Sequence, residues 1–319
     1  MGDLRLYGID PGPVTMKRPG KFRTGSEGAE MATHRSIVVG VDGSEPSFQA
    51  VSWGAREASL RKMPLSLVTT VPGRGTAGIP IGMPAAFFEQ EELDGRQRLA
   101  EAAKHASDTV AGVQIESHLC TGPPAAELIE RSHAAVLVVL GAGRRSVVER
   151  ALLGSVAATV VTHACGPVVI MQDLPYISVS DLSGPIIVGV DGSDCSARAV
   201  TAAFEEASLH STELVAVHVW SDAEMNLPFR RTLDWGGTEA RERAALTENL
   251  AAYAQQYPEV RVRAVVALDR PVRQLQNFAD GAQLVVVGSR GRGGFANMRI
   301  GSTTRMLLHT DSCPLMIVP

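Results

Sequence analysis

The chain alternates between short unbroken apolar runs and longer segments whose apolar positions recur at helical spacing. Ile37–Val41 is one such run, closed by Asp42-Gly43-Ser44. Runs of this kind, without polar alternation, suit strands buried on both faces of a parallel sheet. Ser44 then offers an N-cap, and Phe48, Val51, Ala55 and Ala58 fall at helical spacing, which predicts a helix over Ser47–Arg61. The same reading gives strands at Leu65–Val71, Val113–Cys120, Val136–Leu140 and Pro167–Met171. Helices are expected at Glu89–Val110, at Pro123–Ser132 with prolines in its first turn, and at Gly154–His163. Further along, strands are expected near 185–190, 213–219, 260–267, 284–287 and 315–318, and helices near 194–210, 238–256, 271–279 and 301–310. Strands alternating with helices imply an α/β fold with a parallel sheet wound by right-handed crossovers.

The pattern occurs twice. Ser36–Ser44 reads SIVVGVDGS and Pro185–Ser193 reads PIIVGVDGS, with Asp42 and Asp191 149 residues apart. Val136–Gly141 and Leu284–Gly288 both end an apolar run on glycine, and Gly154-Ser155 and Gly301-Ser302 follow; each glycine pair is 147 residues apart. CGPVVI at Cys165–Ile170 is echoed by CPLMIV at Cys313–Val318. Several matches in order at a nearly constant offset indicate a duplication. The chain therefore reads as a first domain over 34–173, a linker over 174–183 and a second domain over 184–319. Residues 1–33, rich in Gly, Pro and charge and without periodicity, read as a disordered arm. Met31 stands just before the first repeat, so residues 1–30 read as an upstream extension.

Candidate chemistry gathers at the ends of strands. Leu284–Val287 runs into Gly288-Ser289-Arg290-Gly291, and after nine intervening residues Gly301-Ser302-Thr303 opens a helix. Glycines let a backbone approach a ligand closely. Successive N–H groups in such a turn form an anion-binding concavity, and a helix N-terminus adds donors and a positive dipole end. Ser302 and Thr303 add hydroxyls, and Arg290 and Arg292 add charge or are simply solvated. Asp191 follows VGV at a neighbouring strand end, where a carboxylate suits a ribose hydroxyl or an adenine amino group. It would equally serve, with Ser193, as a helix cap. Val219 offers an apolar contact for a base. Ligands in such sheets lie at the carboxyl ends of strands, where strand order reverses.

VGVDGS together with G-x-x-G, nine residues and G-S resembles the universal stress protein family in its tandem, two-domain form. The resemblance covers nearly everything after the N-terminal arm. It implies two doubly wound five-stranded parallel sheets in the order 3-2-1-4-5, with ATP as ligand and Mg²⁺ as its possible companion. It places the ATP ligands at Asp191, Val219, Gly288, Gly291, Gly301, Ser302 and Thr303, and in the first repeat at Asp42, Thr70, Gly141, Gly154, Ser155 and Val156. The first repeat departs from the pattern at Arg144, which stands where the second glycine belongs, so its site is weaker, altered or empty. In the family the last strand joins two domains; here the two repeats are expected to pair within the chain as a pseudo-dimer, with a further homodimer left open.

Composition narrows the function. The chain has 319 residues, 45% hydrophobic and 20% charged, and a net charge of −4 that argues against a general nucleic-acid binder. No apolar stretch approaches the roughly 18 residues of a membrane helix, and the N-terminus lacks a signal-peptide core, so cytoplasmic residence is the expectation. Cys120, Cys165, Cys195 and Cys313 show no metal-ligand spacing and read as small buried or half-buried thiols. His118, His163, His218 and His309 form no metal-spaced pair, and Trp53, Trp220 and Trp235 read as packing residues. There is no Walker-type GK[ST]. The expected function is a nucleotide-dependent regulator of stress or dormancy, holding ATP rather than turning it over. The alternatives are a slow ATPase and a cyclic-nucleotide (cAMP) binder.

Overall fold

The structure is a computed structural model. It describes residues 14–16, 35–73, 82–142, 154–172, 183–220, 235–268, 270–292, 299–309 and 313–319, with the side chains of 14–16 and 235–238 excepted. Ahead of the first repeat lies β1 (Val14–Met16); the elements of that repeat are β2 (Ile37–Gly40), α1 (Glu45–Arg61), β3 (Leu65–Val71), α2 (Ala85–Thr109), β4 (Ile115–Thr121), α3 (Pro124–Arg131), β5 (Leu137–Ala142), α4 (Ser155–His163) and β6 (Val168–Gln172). Those of the second are β7 (Ile186–Val190), α5 (Asp194–Leu209), β8 (Leu214–Trp220), α6 (Trp235–Gln256), β9 (Val262–Leu268), α7 (Pro271–Ala279), β10 (Leu284–Gly288), α8 (Ser302–Leu307) and β11 (Leu315–Val318). Strand positions match expectation to within about two residues. The start of α2 lies four residues before the expected Glu89, following Pro84 in extended backbone. Among the described residues, no helix is long and apolar enough to cross a membrane.

All the strands lie in one sheet of order β1-β4-β3-β2-β5-β6-β11-β10-β7-β8-β9. Each repeat contributes five parallel strands in the order 3-2-1-4-5, and β6 and β11 join the two sets antiparallel. β1, from the segment read as a disordered arm, pairs parallel with β4. The apolar runs are buried on both faces. Ile37, Val39, Val169, Val286 and Met316 point into one core, packed under α1, α2, α5 and α6. Val38, Val138, Ile170, Val285 and Ile317 point into the other, under α3, α4, α7 and α8. Each core runs unbroken through both repeats. The expected pairing within the chain is therefore an extended sheet.

The join has an internal symmetry. Val169 lies opposite Met316, its own counterpart 147 residues on, flanked by Val168 opposite Ile317 and Ile170 opposite Leu315. A pseudo-twofold axis passes through that pair. It brings α1 and α5 together, so Glu57 meets its counterpart Glu206, and Arg61 and His210 occupy equivalent positions, each pair 149 residues apart. Both carboxylates are almost fully buried. Arg61 bonds to both of them, and His210 Nε2 lies 2.7 Å from Glu57 Oε1. Burial, with Glu57 nearby, pushes Glu206 up to about 7, against the pull of Arg61. Burial lowers His210, but its hydrogen bond to Glu57 and the two carboxylates outweigh it, and the net shift is upward.

Of the four cysteines, Cys120, Cys195 and Cys313 are buried and Cys165 is exposed. Burial pushes the Cys313 thiol up to about 12. Two outcomes follow. Arg61→Ala leaves two buried carboxylates without their shared cation and lowers stability by about 3–5 kcal/mol, read as a shifted urea midpoint with an unchanged slope. Brief alkylation of the native chain labels Cys165 and spares the other three, which mass spectrometry of the digest reports.

Candidate functional site

β7, β8 and β10 end side by side near the point where strand order reverses in the second repeat. The sequence after β7 is Asp191-Gly192-Ser193, a turn that needs a positive φ at Gly192, 76°. Asp191 Oδ1 accepts from Ser193 N at 2.9 Å and from Ser193 Oγ at 2.7 Å. Ser193 Oγ in turn accepts from Ser196 N, capping α5. The helix cap is thus Ser193, and Asp191 braces it. Asp191 Oδ2 reaches in the other direction and accepts from the backbone N–H of Arg292 at 3.0 Å. A carboxylate oxygen has two acceptor positions, so Oδ1 is filled by Ser193 while Oδ2 retains room for a further donor.

The glycine loop and the start of α8 meet directly. Gly301 N donates to Ser289 O at 2.8 Å, and Thr304 Oγ1 reaches back to Gly288 O at 2.8 Å. The motif glycines have different reasons for being glycine. A Cβ on Gly288 would stand 2.8 Å from the Cys195 backbone, so packing of β10 against α5 excludes a side chain. A Cβ on Gly291 would stand 2.3 Å from Asp191 Oδ2, so this glycine admits the carboxylate to the loop. Gly301 has an ordinary φ of −67°, and among the described residues a Cβ there would meet nothing closer than 3.6 Å. The fold does not require that glycine. No side chain caps α8, Ser302 is exposed and Thr303 half-buried. Val219, one residue before the end of β8, is half-buried against one of the two cores. The Arg292 guanidinium lies over Gly192.

The first repeat reproduces part of this. Asp42 Oδ1 accepts from Ser44 N at 2.9 Å and Ser44 Oγ at 2.6 Å, and Ser44 caps α1. Gly141 is excluded from bearing a side chain by the Pro46 backbone, 2.3 Å from its would-be Cβ. Gly154 precedes α4; among the described residues nothing stands within 4 Å of a Cβ there and no side chain caps that helix, which Ser155 and Val156 open. Thr70 pairs with Cys120 near the end of β3, the position that Val219 holds in β8. Arg144 lies outside the described residues.

A family model described as the universal stress protein family matches residues 33–172 and again 183–319. The chain belongs to the universal stress protein family. A universal stress protein of Mycobacterium tuberculosis is 38% identical over 285 residues, covering 88% of this chain and 96% of that relative. Another from the same species is 36% identical over 305 residues, covering 89% and 95%. Among solved structures, a universal stress protein from Archaeoglobus fulgidus superposes with a TM-score of 0.67 at 20% identity, covering 89% of this chain and 95% of that one. This last likeness is one of fold.

The roles of two residues of these universal stress protein domains escape the sequence reading. His218 donates from Nδ1 to Val190 O at 2.7 Å, fixing the backbone just before Asp191. Arg98, on α2, packs its aliphatic stem about the Gly43 turn, and its Nε is buried with no hydrogen-bond partner among the described residues. An arginine therefore lies at the Asp-Gly-Ser turn in both domains, from α2 in the first and from the glycine loop in the second. The first arginine carries no motif, because α2 and the turn are far apart in sequence. Gly288→Ala should destabilise the second domain by about 1–3 kcal/mol through overpacking against α5, whereas Gly301→Ala should leave stability nearly unchanged. Thermal unfolding of the two variants side by side checks the contrast.

Proposed function

We propose that the chain binds an adenine nucleotide, ATP with or without Mg²⁺, and acts as a nucleotide-dependent regulator of stress or dormancy. The observation that carries this reading is the convergence of Asp191, the Gly288–Gly291 turn and the uncapped start of α8 at one strand-end cleft. The donor set fits the ligand. Backbone N–H groups of the turn and the first turn of α8 face an anion, and the hydroxyls of Ser302 and Thr303 supplement them. Asp191 keeps acceptor capacity for a ribose hydroxyl, and Val219 supplies an apolar contact for the base. Gly301, which packing does not require, leaves the approach to α8 clear. Asp191 is already engaged by Ser193 and Arg292, so its role is to position loop and ligand rather than to activate water. This favours a holder of nucleotide over an ATPase. Family membership supports the same reading.

The test is calorimetry with ATP and cAMP side by side. ATP is expected to bind. Gly301→Glu abolishes binding in the second domain through bulk and charge repulsion, and Asp191→Ala weakens it by roughly 1.5–3 kcal/mol. Unchanged affinity in both variants would sink the site assignment, and much tighter cAMP binding would replace ATP by the cyclic nucleotide. The nucleotide extracted per purified chain separates one working site from two.

A further inference from the structure

The cluster between α1 and α5 has the makings of a second site, unrelated to the strand-end cleft. Two carboxylates and one guanidinium leave it one negative charge in excess. Arg61 occupies one oxygen on each carboxylate, Glu57 Oε2 and Glu206 Oε1. The remaining oxygens, Glu57 Oε1 and Glu206 Oε2, turn toward His210 Nε2, at 2.7 Å and 3.8 Å. Glu206 is only 2% exposed, and its Oε2 has no hydrogen-bond partner among the described residues. All three atoms lie within 4.8 Å of one another. Beside them opens a cavity of about 340 Å³, lined by Trp53, Leu60, Val110 and Gln283 as well as Glu57 and His210.

We propose that Glu57, Glu206 and His210 form an interdomain site for a divalent transition-metal ion, with the fourth position open to the cavity. One imidazole and two carboxylates are an N/O donor set suited to Zn²⁺, which takes such ligands at about 2.0–2.2 Å and keeps an open position when only three protein ligands are present. Ligand atoms around such an ion stand about 3.3 Å apart, so Glu57 Oε1 and His210 Nε2 separate slightly and Glu206 Oε2 closes in. Arg61 stays on the outer oxygens and orients both carboxylates, the usual task of a group behind the ligands. The ion takes the place of the proton shared by Glu57 and His210, and that proton leaves to solvent. Glu206 Oε2 gains the partner it lacks. Because the ligands come from both repeats, the bound ion ties the two domains together.

The experiment uses the full chain, stripped with chelator and titrated with Zn²⁺ by calorimetry. Saturable binding of one Zn²⁺ per chain is expected, with a higher melting temperature. Glu206→Gln and His210→Gln, which preserve shape, each weaken it about tenfold or more. Cys165→Ser, which removes the exposed thiol, leaves it unchanged. Co²⁺ in place of Zn²⁺ gives visible absorption stronger than that of the aqueous ion, reporting histidine–carboxylate ligation in the unaltered chain. Three results overturn the proposal: no saturable Zn²⁺ binding, a Co²⁺ spectrum no different from the aqueous ion, or binding that survives both glutamine substitutions.

Discussion

The antiparallel pairing of β6 with β11 is the constraint on which the rest of the architecture depends. Each repeat, taken alone, ends its sheet on a short, mostly apolar strand, Val168–Gln172 or Leu315–Val318. An edge of that kind presents unpaired backbone groups and apolar side chains to solvent, and it invites association. Placing the two edges together satisfies both at once. It also fuses the cores on either face, so that Val169 and Met316 lie in one cluster and Ile170 and Leu315 in the other. What could have been an interface between two chains is the middle of one sheet.

A cost of this arrangement appears one layer out. A pseudo-twofold axis brings like residues together, and Glu57 and Glu206 are like charges brought into a buried place. Burying such a pair is unfavourable unless it is compensated. The two repeats differ at the neighbouring position, Arg61 in one and His210 in the other, and both cations serve the two carboxylates. Arg61 is a fixed charge. His210 carries a charge that depends on a proton, which leaves the cluster responsive to anything that competes for its free donor atoms. Duplication supplied the symmetry, and divergence at a single pair of positions resolved the charge.

The strand-end clefts diverge in the opposite sense. The Asp-Gly-Ser turn, the helix-capping serine and the glycine at the strand end persist in both domains because packing demands them. Gly141 and Gly288 are pressed against the backbone at the start of α1 and of α5, whatever the ligand. Gly291 is different, since only its lack of a side chain lets Asp191 reach the loop backbone. The first repeat has Arg144 at the corresponding position of its sequence. In sequence, the two repeats therefore share the Asp-Gly-Ser turn and the strand-end glycine but differ at the second glycine of the loop.

Much of this was legible in the sequence. Unbroken apolar runs determine strands buried on both faces, helical spacing determines the intervening helices, and the recurring motifs reveal the duplication. The strand-end grouping of Asp191, Gly288 and Gly301 follows from that alternation, because every crossover returns the chain to the same end of the sheet. Strand order came from family resemblance, and the structure bears it out. The roles within the motif were not legible. Asp191 and Arg292 are joined by a bond between residues 101 positions apart, and Arg98 reaches the Gly43 turn from a different helix. Nor did spacing single out His210. Its signals were faint: Glu206 four residues before it, and Glu57 and Arg61 at the same offset in the other repeat. By itself the sequence determined the two domains, because periodicity and capping act over a few residues. Only the tertiary structure decided that Glu57 and Glu206 meet, because that depends on the register of β6 on β11, strands that no local pattern links.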